Sequence, residues 1–293
     1  MVTSNGVMER KDLQHLEQSV LKAPEGELIG RQLLTVDTSV HPGAEAYAYD
    51  EMTRSGVAKI IANGDTTLPF VDLDYNRKSV RIVSIALAAQ YTLQELRAAA
   101  MSNRPVQTEK VEAVRRGMAE KEDQLIFTGD PKYNIYGLTN TPGILTDQFT
   151  KTIETMTTDE VLESIRKARK KLTTQIGFTG TKPVLVLPQD QYEELAGRRY
   201  GDTDTRTLLQ IINEYNWFSD IRATQALKGI GDGATDAMLM FNNAPDVVKL
   251  ILPLDNAMLP QENYSTRTVV GFEERTAGAV VRNPYQVLRV SGI

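Results

Sequence analysis

The chain has 293 residues, 41% of them hydrophobic and 24% charged, with a formal net charge of −5; this leaves room for two compact domains or one large one with a real core, and it excludes a disordered or collagen-like chain. A negative balance argues against a body built to neutralise nucleic-acid phosphates, and the lack of any cysteine excludes disulfides and thiolate chemistry. No stretch approaches the run of about 20 apolar residues that spans a membrane, and residues 1–10 have no apolar run, so no signal peptide is expected.

Residues 9–21 place Leu13, Leu16 and Val20 on one narrow stripe, which predicts a short helix ended by Ala23-Pro24-Glu25-Gly26. Residues 28–42 are expected to be extended. The turn signal Asn63-Gly64-Asp65 lies between a region carrying Tyr47, Tyr49, Val57, Ile60 and Ile61 and strands expected at 68–71 and 79–85. Residues 51–85 thus read as a long hairpin whose apolar content is small for a domain. A bare hairpin is marginal in water, so this one must lie on another surface or flex.

A short helix is predicted over 91–100, with Thr92 and Glu95 as a capping box. A longer helix runs from Pro105 to about Phe127, with Val111, Val114, Met118 and Leu125 on its apolar stripe and a length of roughly 30 Å. The loop over 133–147 is the best domain boundary. Beyond it helix and strand alternate. Thr157 and Glu160 cap a helix whose stripe is Val161, Ile165, Ala168 and Leu172. Strands are expected at 183–187, 237–241 and 247–254, and helices at 189–196 and 205–215. This is the pattern of an α/β unit around a central sheet. Residues 265–293 are expected to be long strands that return to the first unit.

Residues with catalytic potential are few. His15 and His41 lie in the N-terminal arm and are read as solvent residues; with no cysteine, a zinc site is not expected. No nucleophile elbow or P-loop is present. Gly229-Ile230-Gly231-Asp232-Gly233 is the nearest approach to a phosphate cradle, but a strand rather than a helix follows it, so a flexible surface loop is the expectation. Asp72/Asp74 and Asp202/Asp204 are weak cation candidates, and Asp204 is more simply a helix N-cap. Arg166, Lys167, Arg169, Lys170 and Lys171 cover the polar side of one helix; a solvated face is the plain reading and a DNA-facing role the sharper one.

The order of parts carries more information than any of these motifs. The run Tyr91-Thr92-Leu93-Gln94-Glu95-Leu96, the helix end Ala119-Glu120-Lys121-Glu122-Asp123-Gln124-Leu125-Ile126-Phe127-Thr128-Gly129-Asp130 and the stretch Tyr136-Gly137-Leu138-Thr139-Asn140 occur in sequence. Together they resemble the major capsid proteins of tailed bacteriophages, whose fold is shared with bacterial encapsulins. The resemblance implies an α+β fold with an N-terminal arm (1–44), an extended hairpin loop with its flanks (45–90), a peripheral domain with a long spine helix (91–146), an α/β axial domain (147–260) and C-terminal strands returning to the peripheral domain (261–293). It further implies that Ile60, Ile61, Leu68, Phe70 and Val71 of the loop lie against the adjacent subunit. Arg198, Arg199, Asp202, Gly231 and Asp232 would then belong to axial loops near the shell's vertices.

By the same resemblance the chain is a structural protein without catalytic residues, cofactor or metal. Its partners are many copies of itself in an icosahedral virion shell, assembled in the host cytoplasm, that encloses double-stranded DNA without sequence-specific binding and without a membrane. Scaffold, portal and decoration proteins are further partners it allows. The N-terminal region is short, so no built-in scaffolding domain is expected, and no residue pattern identifies partners for covalent crosslinking. An encapsulin-type compartment shell is the alternative with the same fold. A small-oligomer α/β enzyme using the glycine loop and Asp pairs is the alternative from another class.

Overall fold

The computed structural model describes residues 26–60, 69–102, 106–175, 177–178, 182–201 and 205–293. The helix expected over 9–21, the turn at Asn63-Gly64-Asp65, and His15, Ile61, Leu68, Asp202 and Asp204 lie outside these residues. The segment expected to be extended from residue 28 instead forms one helical turn, α1 (Gly30–Leu33), before a short strand, β1 (Val36–Asp37). A carboxylate favours the turn: the Gly30 N–H donates to Asp123 Oδ1 at 2.8 Å, satisfying a donor that a helix start leaves free.

Strands β2 (Ala46–Ser55) and β3 (Asp72–Arg81) pair antiparallel from Ala46↔Arg81 to Ser55↔Asp72. The next strand, β4 (Val83–Thr92), belongs to a different sheet. The strand expected over 79–85 is therefore two elements. Unbroken apolar alternation conceals the break, which falls at Ile82; this residue is buried, and its N–H donates to Glu45 O at 2.9 Å as the chain crosses between sheets. Helix α2 (Leu93–Ser102) starts two residues later than predicted because Tyr91 and Thr92 are still paired in a sheet. Its capping box is as expected: the Thr92 N–H donates to the Glu95 carboxylate at 3.1 Å, and the Glu95 N–H to Thr92 Oγ1 at 3.2 Å.

The spine helix α3 (Val106–Phe127) has 22 residues, about 33 Å at the usual rise. Val114 and Met118 are buried in one cluster with Ala89, Tyr91 and Phe272, and Val111 packs half-buried beside them. Leu125 is buried at the far end of the helix. Short strands β5 (Gly129–Asp130) and β6 (Ile135–Tyr136) follow. The Gly-Leu-Thr-Asn stretch then closes the helix C-terminus. Leu138 N–H donates to Ile126 O at 2.9 Å, Thr139 N–H to Phe127 O at 3.0 Å and Asn140 Nδ2 to Thr128 O at 2.7 Å. Asn140 Oδ1 in turn accepts the Gly137 N–H at 2.7 Å. These bonds satisfy carbonyls that a helix end leaves unpaired. Both glycines are required: Gly129 has φ +66°, and a Cβ on Gly137 would lie 2.4 Å from Phe127 O.

The α/β unit comprises β7 (Leu145–Gln148), α4 (Thr158–Thr173), β8 (Val184–Pro188), α5 (Gln189–Gly197), α6 (Leu208–Glu214), β9 (Asp220–Thr224) and β10 (Ala237–Phe241). Helix α4 has the Thr157–Glu160 capping box, and Val161, Ile165, Ala168 and Leu172 are all buried. The N-cap of α6 is Thr207, not Asp204: Thr207 Oγ1 accepts the Gln210 N–H at 3.3 Å, and the Gln210 side chain accepts the Thr207 N–H at 3.0 Å. A single strand expected over 247–254 is split into β11 (Val248–Ile251) and β12 (Leu254–Met258) around Pro253, which has no N–H for a ladder. The chain ends in β13 (Glu262–Asn263), β14 (Arg267–Thr276), β15 (Gly278–Val281) and β16 (Val287–Ser291).

Strand β14 pairs with β4 along its whole length and with β12 on its other side, forming the sheet that α3 covers. β11 lies between β1 and β15. The expectation that 261–293 return to the first unit fails for β16, which sits inside the five-stranded sheet β7-β16-β10-β8-β9. That sheet is buried on both faces, so its central strands read as continuous apolar runs. Leu185, Leu187, Met238, Met240, Leu288 and Val290 face α4 and α6 in one core. Val184, Val186, Leu239, Phe241 and Val287 join Ile29, Leu33, Ile126 and Phe127 in the other.

Candidate assembly surfaces

The ten residue pairs of β2 and β3 make a ribbon roughly 33 Å long at about 3.3 Å per residue. Its root is anchored. Tyr47, Tyr49 and Val80 pack on Ile82, Ile251, Ala277 and Val280, and Tyr49 Oη donates to Val281 O at 3.3 Å. The Arg282 guanidinium lies 5.7 Å and 5.6 Å from the Tyr47 and Tyr49 ring centres and bonds the Tyr47 hydroxyl. Beyond the root the ribbon leaves the body. Its middle is held by ion pairs across the strands, Arg77–Asp50 at 2.8 Å and Lys78–Glu51 at 2.7 Å. The hydrogen bond from Arg77 holds the Asp50 carboxyl below its usual range.

The distal half carries exposed apolar side chains among polar ones. Met52 and Tyr75 are directly paired, and Leu73 lies two residues from Tyr75, so the three share one face. Met52 is 59% exposed and Tyr75 60%. Of the predicted loop residues, Ile60, Phe70 and Val71 are 100%, 90% and 64% exposed, and Val57 reaches 85%. Among the described residues, seven exposed large apolar side chains lie on this one projecting element, which makes it a candidate interaction surface. Sequence reading missed Met52, Leu73 and Tyr75 because single apolar residues among charged and polar ones look like a solvated hairpin; the period-two alternation Asp72-Leu73-Asp74-Tyr75-Asn76 was the available signal. Met258, at 68% exposure, is a further exposed apolar side chain, on β12 at the edge of the sheet built on β14.

The predicted axial-loop residues do not gather in one place. Arg198 follows α5 and is engaged within its own chain: Nη1 donates to Ile153 O at 3.1 Å and Met156 O at 2.9 Å, and Nε to Glu194 Oε1 at 2.8 Å. Arg199 is exposed and bridges to Thr207. Gly231 and Asp232 belong to a loop tied near the start of α5, where Asp236 accepts from Gln191 Nε2 at 3.1 Å and from the Gly229 N–H at 2.8 Å. Asp232 pairs with Arg289 at 2.7 Å. The glycine loop is therefore cross-tied rather than a free surface loop. Its N–H groups at Gly229, Gly231, Asp232 and Ala234 all donate within the protein, so they are not offered to a phosphate.

The basic run on α4 is also largely engaged within the chain. Arg166 and Lys167 pair with Glu163, Arg169 Nε donates to Trp217 O at 3.0 Å, and Lys171 bonds Thr146 O and pairs with Asp147. His41 is exposed and accepts the Gly43 N–H. Among the described residues no three His, Asp or Glu side chains are gathered as a metal ion would require. No described helix is long and apolar enough to cross a membrane.

The site is thus an anchored ribbon with exposed apolar side chains on its outer half, and not a gathered set of catalytic or metal-binding groups among the described residues. The chain belongs to the major capsid protein family, whose sequence model matches residues 56–293. Its fold is that of the capsid of Myoviridae phage XM1, with a TM-score of 0.88 at 15% identity over 99% of this chain and 100% of that one. It is also similar to the capsid of cyanophage P-SCSP1u (TM-score 0.66, 12% identity, 99% and 96% covered). A virus-like particle from Pyrococcus furiosus shares the fold at a TM-score of 0.60 and 13% identity, with 89% and 91% covered. Among curated proteins the type 1 encapsulin shell protein EncA of Myxococcus xanthus (strain DK1622) is 27% identical over 133 residues. That match spans 45% of this chain and 45% of the relative, less than half the relative's length. The tailed-phage capsid fold expected from the order of parts is the fold observed, and its family is one of capsid shell proteins.

Proposed function

We propose that this chain is the major capsid protein of a tailed bacteriophage, assembled in the host cytoplasm into an icosahedral shell around double-stranded DNA. The observation that carries the reading is the β2–β3 ribbon, whose outer apolar residues are left exposed by the described residues of their own chain. In this reading residues 45–90 are the extended loop and its flanks, clasping the adjacent subunit through Met52, Val57, Ile60, Phe70, Val71, Leu73 and Tyr75. Residues 91–146 with β14 and β15 form the peripheral domain. Residues 147–260 with β16 form the axial domain, which presents Arg199 and Asp232 toward its symmetry copies while Arg198 shapes the loop beside them. The chain works without catalysis or cofactor; portal, scaffold and decoration proteins are its further partners.

The relative from Myxococcus favours a second reading, an encapsulin-type shell around protein cargo. Electron microscopy of particles made by this chain in its native host, with extraction of their contents, separates the two. Phage shells are expected to hold double-stranded DNA. Nuclease-resistant DNA absent from every particle, with a protein cargo present, would favour the second reading. A chain that remains a small oligomer under all conditions would contradict both.

A further inference from the structure

Five charged side chains meet where the N-terminal segment crosses the spine helix. Arg31, on α1, lies 2.8 Å from Glu122 of α3, 3.1 Å from Asp255 of β12 and 3.7 Å from Glu274 of β14. Asp123 of α3 lies next to Glu122 and holds the Gly30 N–H. Arg115 of α3 lines the same cavity of about 350 Å³. Three carboxylates, Glu122, Asp255 and Glu274, thus face the Arg31 guanidinium, while Asp123 faces Arg116 of α3 and Arg115 stands at the rim. Glu122, Asp123 and Glu274 are 4%, 7% and 2% exposed. Glu274 is the poorly served member: its Oε1 is buried and accepts no hydrogen bond among the described residues, while Glu122 and Asp255 hold Arg31 more closely. An ionised carboxylate in that setting is strongly disfavoured, and a protonated one is not. Leu28, Arg31 and Gln32 of the N-terminal segment line this cavity together with Glu274.

We propose that the segment around α1 is a proton-set latch, held on the spine helix while Glu274 carries a proton and loosened when that proton leaves. The latch joins the chain's N-terminal segment to the helix that organises the peripheral domain. Its state decides whether that segment stays on its own subunit or is free to engage elsewhere. Burial, and then the Glu122 charge, push the Glu274 carboxyl up to about 7, against the pull of Arg31, with Asp255 adding to the rise. Burial also raises Glu122 and Asp123, while the bonds from Arg31 and the Asn256 N–H hold Asp255 below its usual range despite its own burial. The sign follows from a carboxyl raised in the docked state from 4.5. Docking is strongest below the carboxyl's ordinary value, weakens as pH rises toward 7 and levels off above it.

Hydrogen exchange of the full chain from pH 5 to 8.5 tests this, with each peptide's rate divided by its intrinsic chemical rate. The peptide covering residues 28–35 is expected to lose protection by up to about tenfold per pH unit between pH 5 and 7, then to level off. The peptide covering α4 in the same sample serves as the reference and stays flat. Glu274→Gln, which cannot ionise, is expected to remain protected at pH 8 and to show no pH step. Wild-type protection of residues 28–35 that is constant from pH 5 to 7 overturns the proposal, and so does a step that persists in Glu274→Gln. The wild-type profile decides the matter alone if that variant does not fold.

Discussion

Replacing Met118 by aspartate tests whether helix α3 carries the core beneath the β4–β14 sheet. Met118 is 1% exposed and lies among Ala89, Tyr91, Val114 and Phe272. Removing its buried apolar surface is expected to cost about 2–5 kcal/mol, the range for truncating a packed side chain. The new carboxyl must also be protonated or dragged toward water. Holding an aspartic acid neutral at pH 7 costs about 4 kcal/mol, at about 1.4 kcal/mol for each pH unit above its ordinary value near 3.9. The combined loss, roughly 6–9 kcal/mol, rivals the whole stability of a typical domain. Met118→Leu keeps the volume and should lose less than about 1.5 kcal/mol. Urea titration of the unassembled chain, followed by far-ultraviolet circular dichroism, compares the two. The aspartate variant should be unfolded or insoluble where the leucine variant is native. An aspartate variant within about 1 kcal/mol of wild type would refute the assignment of this face.

Gly137→Ala should destabilise the chain strongly, because its Cβ would meet Phe127 O at 2.4 Å; a thermal melt unchanged from wild type would show that the helix cap relaxes freely. Thr157→Ala removes the acceptor that starts α4 and is expected to cost about 1 kcal/mol in urea titration. Hydrogen bonds from Lys151 and the Thr157 N–H lower the Glu160 carboxyl from 4.5 to about 2. The cap it completes is therefore present above pH 4.5 and is lost as pH falls toward 2, which a carboxyl carbon titration by NMR on the unassembled chain would report. Phe70→Asp changes a residue that is 90% exposed; it should leave the melt of the unassembled chain within about 0.5 kcal/mol of wild type while lowering the yield of shells.

Regular periodicity made much of this fold legible before the structure. The α4 stripe and its capping box, the stripe of the spine helix, and the buried runs at 184–188 and 237–241 needed only local spacing. What was not legible depended on pairing across the chain. Ile82 divides a continuous β pattern because the strands on its two sides have different partners, and no local residue announces that. β16 enters the central sheet by pairing with Leu145–Gln148 and Ala237–Phe241, both far away in sequence. The acidic end of the spine helix was visible as a family pattern. That Glu122 and Asp123 face inward onto α1 follows only from packing against the N-terminal segment. Among the loop residues Ile60, Phe70 and Val71 are exposed, whereas the internal bonds of Arg198 could not be foreseen from an Arg-Arg pair in a polar loop.

The most direct test of the account replaces residues 58–77 with a short Gly-Ser turn. The root residues Tyr47, Tyr49 and Val80, with their own packing, stay in place. The segment removed includes Ile60, Phe70, Val71, Leu73 and Tyr75, all exposed on the subunit. Buried against a neighbour at about 25 cal/mol per Å², such side chains would stabilise each contact by several kcal/mol, of which association entropy leaves only part. Differential scanning fluorimetry and negative-stain microscopy on one preparation read both consequences. The account predicts a subunit melting close to wild type that forms no stable shells. Intact shells from the shortened chain would contradict it.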